Sequence, residues 1–206
     1  MACKFRAGRA TEGTHPVNKK LTAALSGGAA LVLALTGCSS EDDGSKETDD
    51  WAKKVCDQVK PQVNKIQQAN TSINEASQQK KSPEEVKKTD SAAFQDISES
   101  YKSLATAVDD AGEPPVDKGS KLQTDAVKEL NGLSRQYGEL KKTVDKMNTK
   151  DQAKFASGLK ELATKLGQLG QSGDESLQKL QSGDLGKAMA KQEGCKRPSP
   201  GSTTDA

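Results

Sequence analysis

The chain has 206 residues, a length that fits one domain with appendages. Its 31 basic and 29 acidic side chains nearly cancel, which excludes a basic footprint for a nucleic acid and any general attraction to an acidic surface. The one histidine is His15, so a catalytic triad, a histidine general base and a zinc site of the usual Cys and His types find no ligands in the rest of the chain.

Residues 1–37 hold five of the basic residues, one acidic residue and His15; beyond them 26 basic face 28 acidic side chains. Lys19 and Lys20 precede an uncharged, Ala- and Leu-rich stretch over 21–37, the order of a basic n-region and an apolar h-region. A spanning helix needs about 20 mostly apolar residues. This stretch is shorter, carries Gly27 and Gly28, and runs into Glu41, Asp42 and Asp43 rather than Lys or Arg. The pattern predicts a cleaved signal peptide over 1–37. Val17-Asn18-Lys19-Lys20 would itself open a compact signal, and translation is expected to start at Val17 through an alternative start codon.

The stretch ends in Leu35-Thr36-Gly37-Cys38, an aliphatic residue, two small ones and a cysteine. This resembles the lipobox of bacterial lipoproteins, and the small residues suit a protease that must fit an extended backbone tightly. The resemblance implies that the Cys38 thiol receives a diacylglyceryl group, that a peptidase cuts before it, and that Cys38 becomes the first residue. It also implies attachment to the outer leaflet of the cytoplasmic membrane, facing the extracytoplasmic side; two acyl chains suffice for stable anchoring. A cysteine anchor, a polar tether and a helical domain with a cysteine near each end are together similar to small secreted actinobacterial lipoproteins.

With Cys38 assigned to lipid, Cys56 and Cys195 remain in the exported chain, and two thiols in an oxidising compartment predict one disulfide. Residues 39–48 contain no apolar side chain and are expected, with the lipidated Cys38, to form a polar tether of up to roughly 35 Å. A helical domain is expected over 49–195 and a disordered tail over 196–206.

Within the domain, Trp51, Val55, Val59, Val63, Ile66 and Ile73 keep helical spacing, with Pro61 expected to kink the segment or bound it. Ser82-Pro83-Glu84-Glu85 is a helix start with a cap, a first-position proline and acids in the first turn. The stripe Phe94, Ile97, Tyr101, Leu104, Val108 follows, stopped by Gly112, Pro114 and Pro115. A third stripe runs Leu122, Ala126, Leu130, Leu133, Tyr137, Leu140, Val144, Met147. The fourth is Phe155, Leu159, Leu162, Leu166, Leu169, behind a capping box over Thr149–Gln152. Gln-Ser-Gly-Asp at 171–174 and again at 181–184 punctuates a short or broken last helix toward Cys195. Steps averaging 3.5 mark narrow seams. The fold class expected is all-α: an elongated antiparallel bundle of about four helices closed by a terminal disulfide. Leu, Ile, Val and Phe make up about 15% of the residues after 37, so the bundle is thin.

The paired acids Glu84 with Glu85 and Asp109 with Asp110 could work as acid and base, but they stand at a helix start and near a helix end, where solvated charge is the ordinary explanation. No glycine-rich phosphate loop is present, and Asp42-Asp43-Gly44 lacks the later ligands of a calcium loop. Tyr101 and Tyr137 lie on apolar stripes, and Lys141-Lys142 belongs to a mixed-sign face. The expectation is a non-enzymatic, membrane-anchored protein without cofactor, metal or nucleic acid, whose bundle binds an envelope protein or a cell-wall component. The alternative is a carrier of a small apolar ligand in the bundle interior. Mass spectrometry of the unprocessed precursor is expected to return no peptide from residues 5–16; finding them would place the start upstream of Val17.

Overall fold

A computed structural model of the chain describes residues 40–79, 81–169 and 175–196. Residues 1–39, which include the expected signal segment with Leu35, Thr36, Gly37 and the expected lipidation site Cys38, and residues 197–206 of the tail expected over 196–206 lie outside the described residues. Six α-helices are described: α1 (Ser40–Gln78), α2 (Pro83–Ala111), α3 (Gly119–Asp145), α4 (Gln152–Leu169), α5 (Glu175–Leu180) and α6 (Gly183–Lys191). A 3-10 turn follows over Glu193–Cys195. No strand occurs among the described residues, so this part of the chain is all-α.

The start of α2 is built as its sequence dictates. The Ser82 hydroxyl accepts from the Glu85 backbone N–H, and the Glu85 carboxylate accepts from the Ser82 backbone N–H. Two of the donors that a helix start leaves unmatched are thereby satisfied. At the other end Gly112 sits at φ +79, a left-handed conformation that suits glycine. The chain then turns through Pro114 so closely that a Cβ on Gly119 would overlap the Pro114 carbonyl oxygen.

Short connections make α1, α2 and α3 antiparallel neighbours, and long-range hydrogen bonds set their register. The Trp51 indole N–H donates to the Gly112 carbonyl at 2.8 Å, tying the first third of α1 to the end of α2. Ser98 Oγ donates to the Ser134 carbonyl at 2.8 Å, and Lys87 Nζ to the Met147 carbonyl at 3.0 Å, between α2 and α3. The fourth column is α4, α5 and α6 in series: α4 and α5 pack on α3, α6 on α1. The fourth expected helix is α4, unbroken, and the short or broken last helix expected toward Cys195 is α5 with α6.

Apolar stripes meet in two clusters. One joins Trp51, Val55 and Cys56 with Leu104, Val108, Ala126, Leu130, Leu180, Leu185 and Met189. The other joins Ala69 with Phe94, Ile97, Leu133, Leu140, Val144, Met147, Phe155, Leu162 and Leu169. In α4 the buried residues Phe155, Leu162 and Leu169 are seven apart, the single seam that the sequence spacing predicts.

Cys56 and Cys195 form a disulfide with Cα atoms 5.0 Å apart across a separation of 139 residues. The loop-entropy account assigns such a closure roughly 5 kcal/mol of restriction on the unfolded chain. Gly194 makes the approach possible, because a Cβ there would overlap the Cys56 carbonyl oxygen.

Three local expectations are corrected. The tether expected over 38–48 is, from Ser40 on, the opening of α1, and Thr48 is buried. Once the Trp51–Val55 turns are nucleated by packing, adding residues to the helix is far cheaper than starting one; Asp49 is also held by Lys191 of α6 at 3.1 Å. Of the two roles expected for Pro61, a kink or a boundary, the boundary is overturned: the proline sits exposed inside α1, which runs on to Gln78. The start of α4 is capped by Asp151 rather than by Thr149: Asp151 Oδ1 accepts from the Lys154 backbone N–H at 3.0 Å.

Two glycines give opposite expectations. Gly132, in the interior of α3, would meet only the Arg135 guanidinium, at an ordinary contact distance of 4.0 Å, if it carried a Cβ, so Gly132→Ala is expected to raise stability by about 0.5–1 kcal/mol. Gly194→Ala is expected to lower it by more than that amount, by pushing the 3-10 turn off α1. Thermal melting of the oxidised proteins checks both signs.

Candidate functional site

The residues that carry the chemical expectations fall into three groups. Leu35, Thr36, Gly37 and Cys38 lie outside the described residues. Cys56 and Cys195 are joined, Cys56 fully buried and Cys195 packed against its cluster. The remaining polar candidates are structural in their surroundings. The Glu85 carboxyl is held below its ordinary range, first by the Ser82 hydroxyl and then by the Ser82 backbone N–H. Glu84 is exposed in the first turn of α2. The Asp109 carbonyl accepts from Gly112 N–H and from Gln123 Nε2, while the side chains of Asp109 and Asp110 are exposed.

Tyr101 and Tyr137 stack with ring centroids 5.5 Å apart, and Tyr137 also meets Phe94 at 6.2 Å. Burial pushes the Tyr137 hydroxyl above its usual pKa. This aromatic pair links α2 to α3. Lys141 pairs with Asp145 at 2.7 Å and Lys142 with Glu139 at 2.7 Å, the mixed-sign surface expected of that stretch. Of the two Gln-Ser-Gly-Asp segments, 171–174 lies outside the described residues. At the other, Gly183 opens α6 at φ +61 and Asp184 pairs with Lys187 at 2.9 Å, so the segment punctuates the column.

Sequence periodicity also passes over a buried acid. Asp90 lies four residues after Val86 and four before Phe94, on the core-facing side of α2, and is 5% exposed. Its Oδ1 has no hydrogen-bond partner, and burial pushes its pKa up to about 6. The signal was in the spacing: position 90 belongs to the stripe although its side chain is polar.

Two open grooves flank the first half of α2. One, of about 690 Å³, runs between α1 and α2 over a floor of Ala69 and Ala93, with Lys65, Lys81, Lys88 and Asp96 among its rim residues. The other, about 530 Å³, lies between α2 and α3 beside Lys87, Ser91, Lys141 and Asp145. Ser91 Oγ donates to Asp145 Oδ1 at 2.6 Å there. Among the described residues no group of three or more His, Cys, Asp and Glu side chains could hold a metal ion. No described helix is long and apolar enough to cross a membrane.

No protein family, curated protein or solved structure matches the chain.

Asp90 generates a pH-dependent expectation. Its raised pKa means that the fold favours the protonated acid, so its cost is absent below the ordinary value of 3.8, grows as pH rises toward about 6, and is constant above. Asp90→Asn is therefore expected to be more stable than the wild type at pH 7 by up to about 3 kcal/mol. The difference should vanish near pH 3.5. Denaturant unfolding of both proteins at the two pH values measures it.

Proposed function

We propose that the chain is a lipoprotein anchored to the cytoplasmic membrane through Cys38 and facing outward, with no enzymatic role, whose bundle binds a protein or a cell-envelope component. The observation that carries this reading is Leu35-Thr36-Gly37-Cys38 set directly behind Lys19, Lys20 and the apolar stretch. A four-residue pattern is common by chance; its position at the end of a leader is not. The Cys56–Cys195 disulfide adds support, because such bonds persist in exported proteins and are rare in a reducing cytoplasm.

The bundle suits presentation of a surface. Its apolar side chains are consumed by its own narrow seams, whereas a carrier needs apolar lining beyond what its core uses. The two grooves beside α2 are rimmed by lysines, carboxylates and hydroxyls, a surface for polar contact. In this reading the first described residue of α1, Ser40, follows the acylated cysteine by two residues, about 7 Å of extended chain at most.

Metabolic labelling with a palmitate analogue tests the anchor. The wild type is expected to take up label and to sediment with membranes, and Cys38→Ala to remain unlabelled and unprocessed. An unlabelled wild type overturns the reading. A stoichiometric apolar ligand seen by native mass spectrometry of the purified protein would overturn the presentation role in favour of a carrier.

A further inference from the structure

The two apolar clusters meet at a level where each column is weakened. In α1 no residue from Asp57 to Gln68 is fully buried, although Cys56 and Ala69 on either side are. Pro61 stands in that stretch and has no N–H to give the Asp57 carbonyl. Beside it, Gln62 Oε1 is buried without a partner. In α2, Ile97 belongs to one cluster and Leu104 to the other; between them Ser100 is 1% exposed and its Oγ has no partner. In α3 the clusters divide between Leu130 and Leu133, next to Gly132. In the fourth column they divide between Leu169 at the end of α4 and Leu180 at the end of α5.

The register puts these features side by side. From the Trp51–Gly112 hydrogen bond, Pro61 is ten residues along α1 and Ser100 twelve residues back from Gly112, both about 15–18 Å away at 1.5 Å per residue. The Ser98–Ser134 bond places Ser100 and Gly132 within one turn of each other. Half-buried Ile66, Tyr101 and Leu177 are the side chains that touch both clusters.

The two sides of this level are unequal. The Trp51–Leu104–Met189 side contains the disulfide, which joins α1 to the turn after α6. The Phe94–Phe155 side has no such link among the described residues; each side holds an unmatched carboxylate oxygen, Asp90 Oδ1 here and Glu129 Oε1 there, but Asp90 is buried as a whole and Glu129 only in part. A buried polar group left unpaired costs about 1–3 kcal/mol, and regions with fewer constraints open at lower free energy than the whole.

We infer that the bundle is a two-part device: the half built on α4 opens on its own about the Pro61–Ser100–Gly132 level, while the disulfide-closed half stays folded. Opening uncovers the seam of Phe155 and Leu162 together with Phe94 and Ile97. This inference stands whether or not Cys38 carries a lipid.

Hydrogen exchange of the full oxidised chain tests it. Amides over 93–98, 137–144 and 155–166 are expected to exchange at least about tenfold faster than those over 52–57, 104–108, 126–130 and 185–189. Reducing the disulfide is expected to accelerate the second set and leave the first unchanged. The double variant Pro61→Ala, Gly132→Ala, which stiffens two columns at the joint, is expected to narrow the gap. One shared rate for both sets in the wild type overturns the inference, as does equal acceleration of both sets on reduction. A variant that keeps the gap undiminished overturns the placing of the joint.

Discussion

A bundle with so few large apolar side chains depends on closing its ends, and the Cys56–Cys195 bond does that. It ties the first half of α1 to the turn that follows α6, so the rest of α1 and all of α2 to α6 lie between its two sulfurs. Around it Trp51, Val55, Leu104, Leu185 and Met189 gather into one cluster, and the Trp51 indole reaches across to the Gly112 carbonyl. Gly194 is part of the same arrangement, since only a residue without a side chain lets the chain come so near the Cys56 carbonyl. The hydrophobic effect there acts on a chain whose unfolded state is already restricted.

Much of this architecture is legible in the residues. Ser82, Pro83 and Glu85 announce the start of α2, and Gly112 with Pro114 its end, because caps and breakers act through local backbone chemistry that a short window contains. The seven-residue recurrence of Phe155, Leu162 and Leu169 reads directly as a seam. The disulfide follows from counting cysteines. Local composition misleads where packing elsewhere decides: residues 40–48 look like a tether, yet they continue a helix anchored by Trp51 and by the Asp49–Lys191 pair, whose partner lies 142 residues away. Asp90 and Ser100 were hidden for a related reason. Each occupies a core position with a polar side chain, so a search for apolar residues counts it as a gap rather than as part of the core-facing stripe.

The candidate site divides in the same manner. The proposed leader and its cysteine rest on a short linear pattern, which is all that recognition by a processing enzyme needs. The grooves proposed for partner contact are assembled from several helices, and their residues are scattered: Lys65 of α1, Lys88 and Asp96 of α2, and Lys141 of α3 line grooves that no linear motif marks. Such a surface becomes visible only once register is known, and the register rests on three hydrogen bonds from Trp51, Lys87 and Ser98.

The long span of the disulfide also orders events during biosynthesis. Cys56 emerges early and must wait for Cys195, 139 residues later, which at about 5–20 residues per second is roughly 7–28 s of chain elongation. The α2–α3 hairpin can form meanwhile from contacts close in sequence. The thiol of Cys56 is thus a nascent-chain liability, open to pairing with the wrong sulfur, until the last helices arrive to cover it.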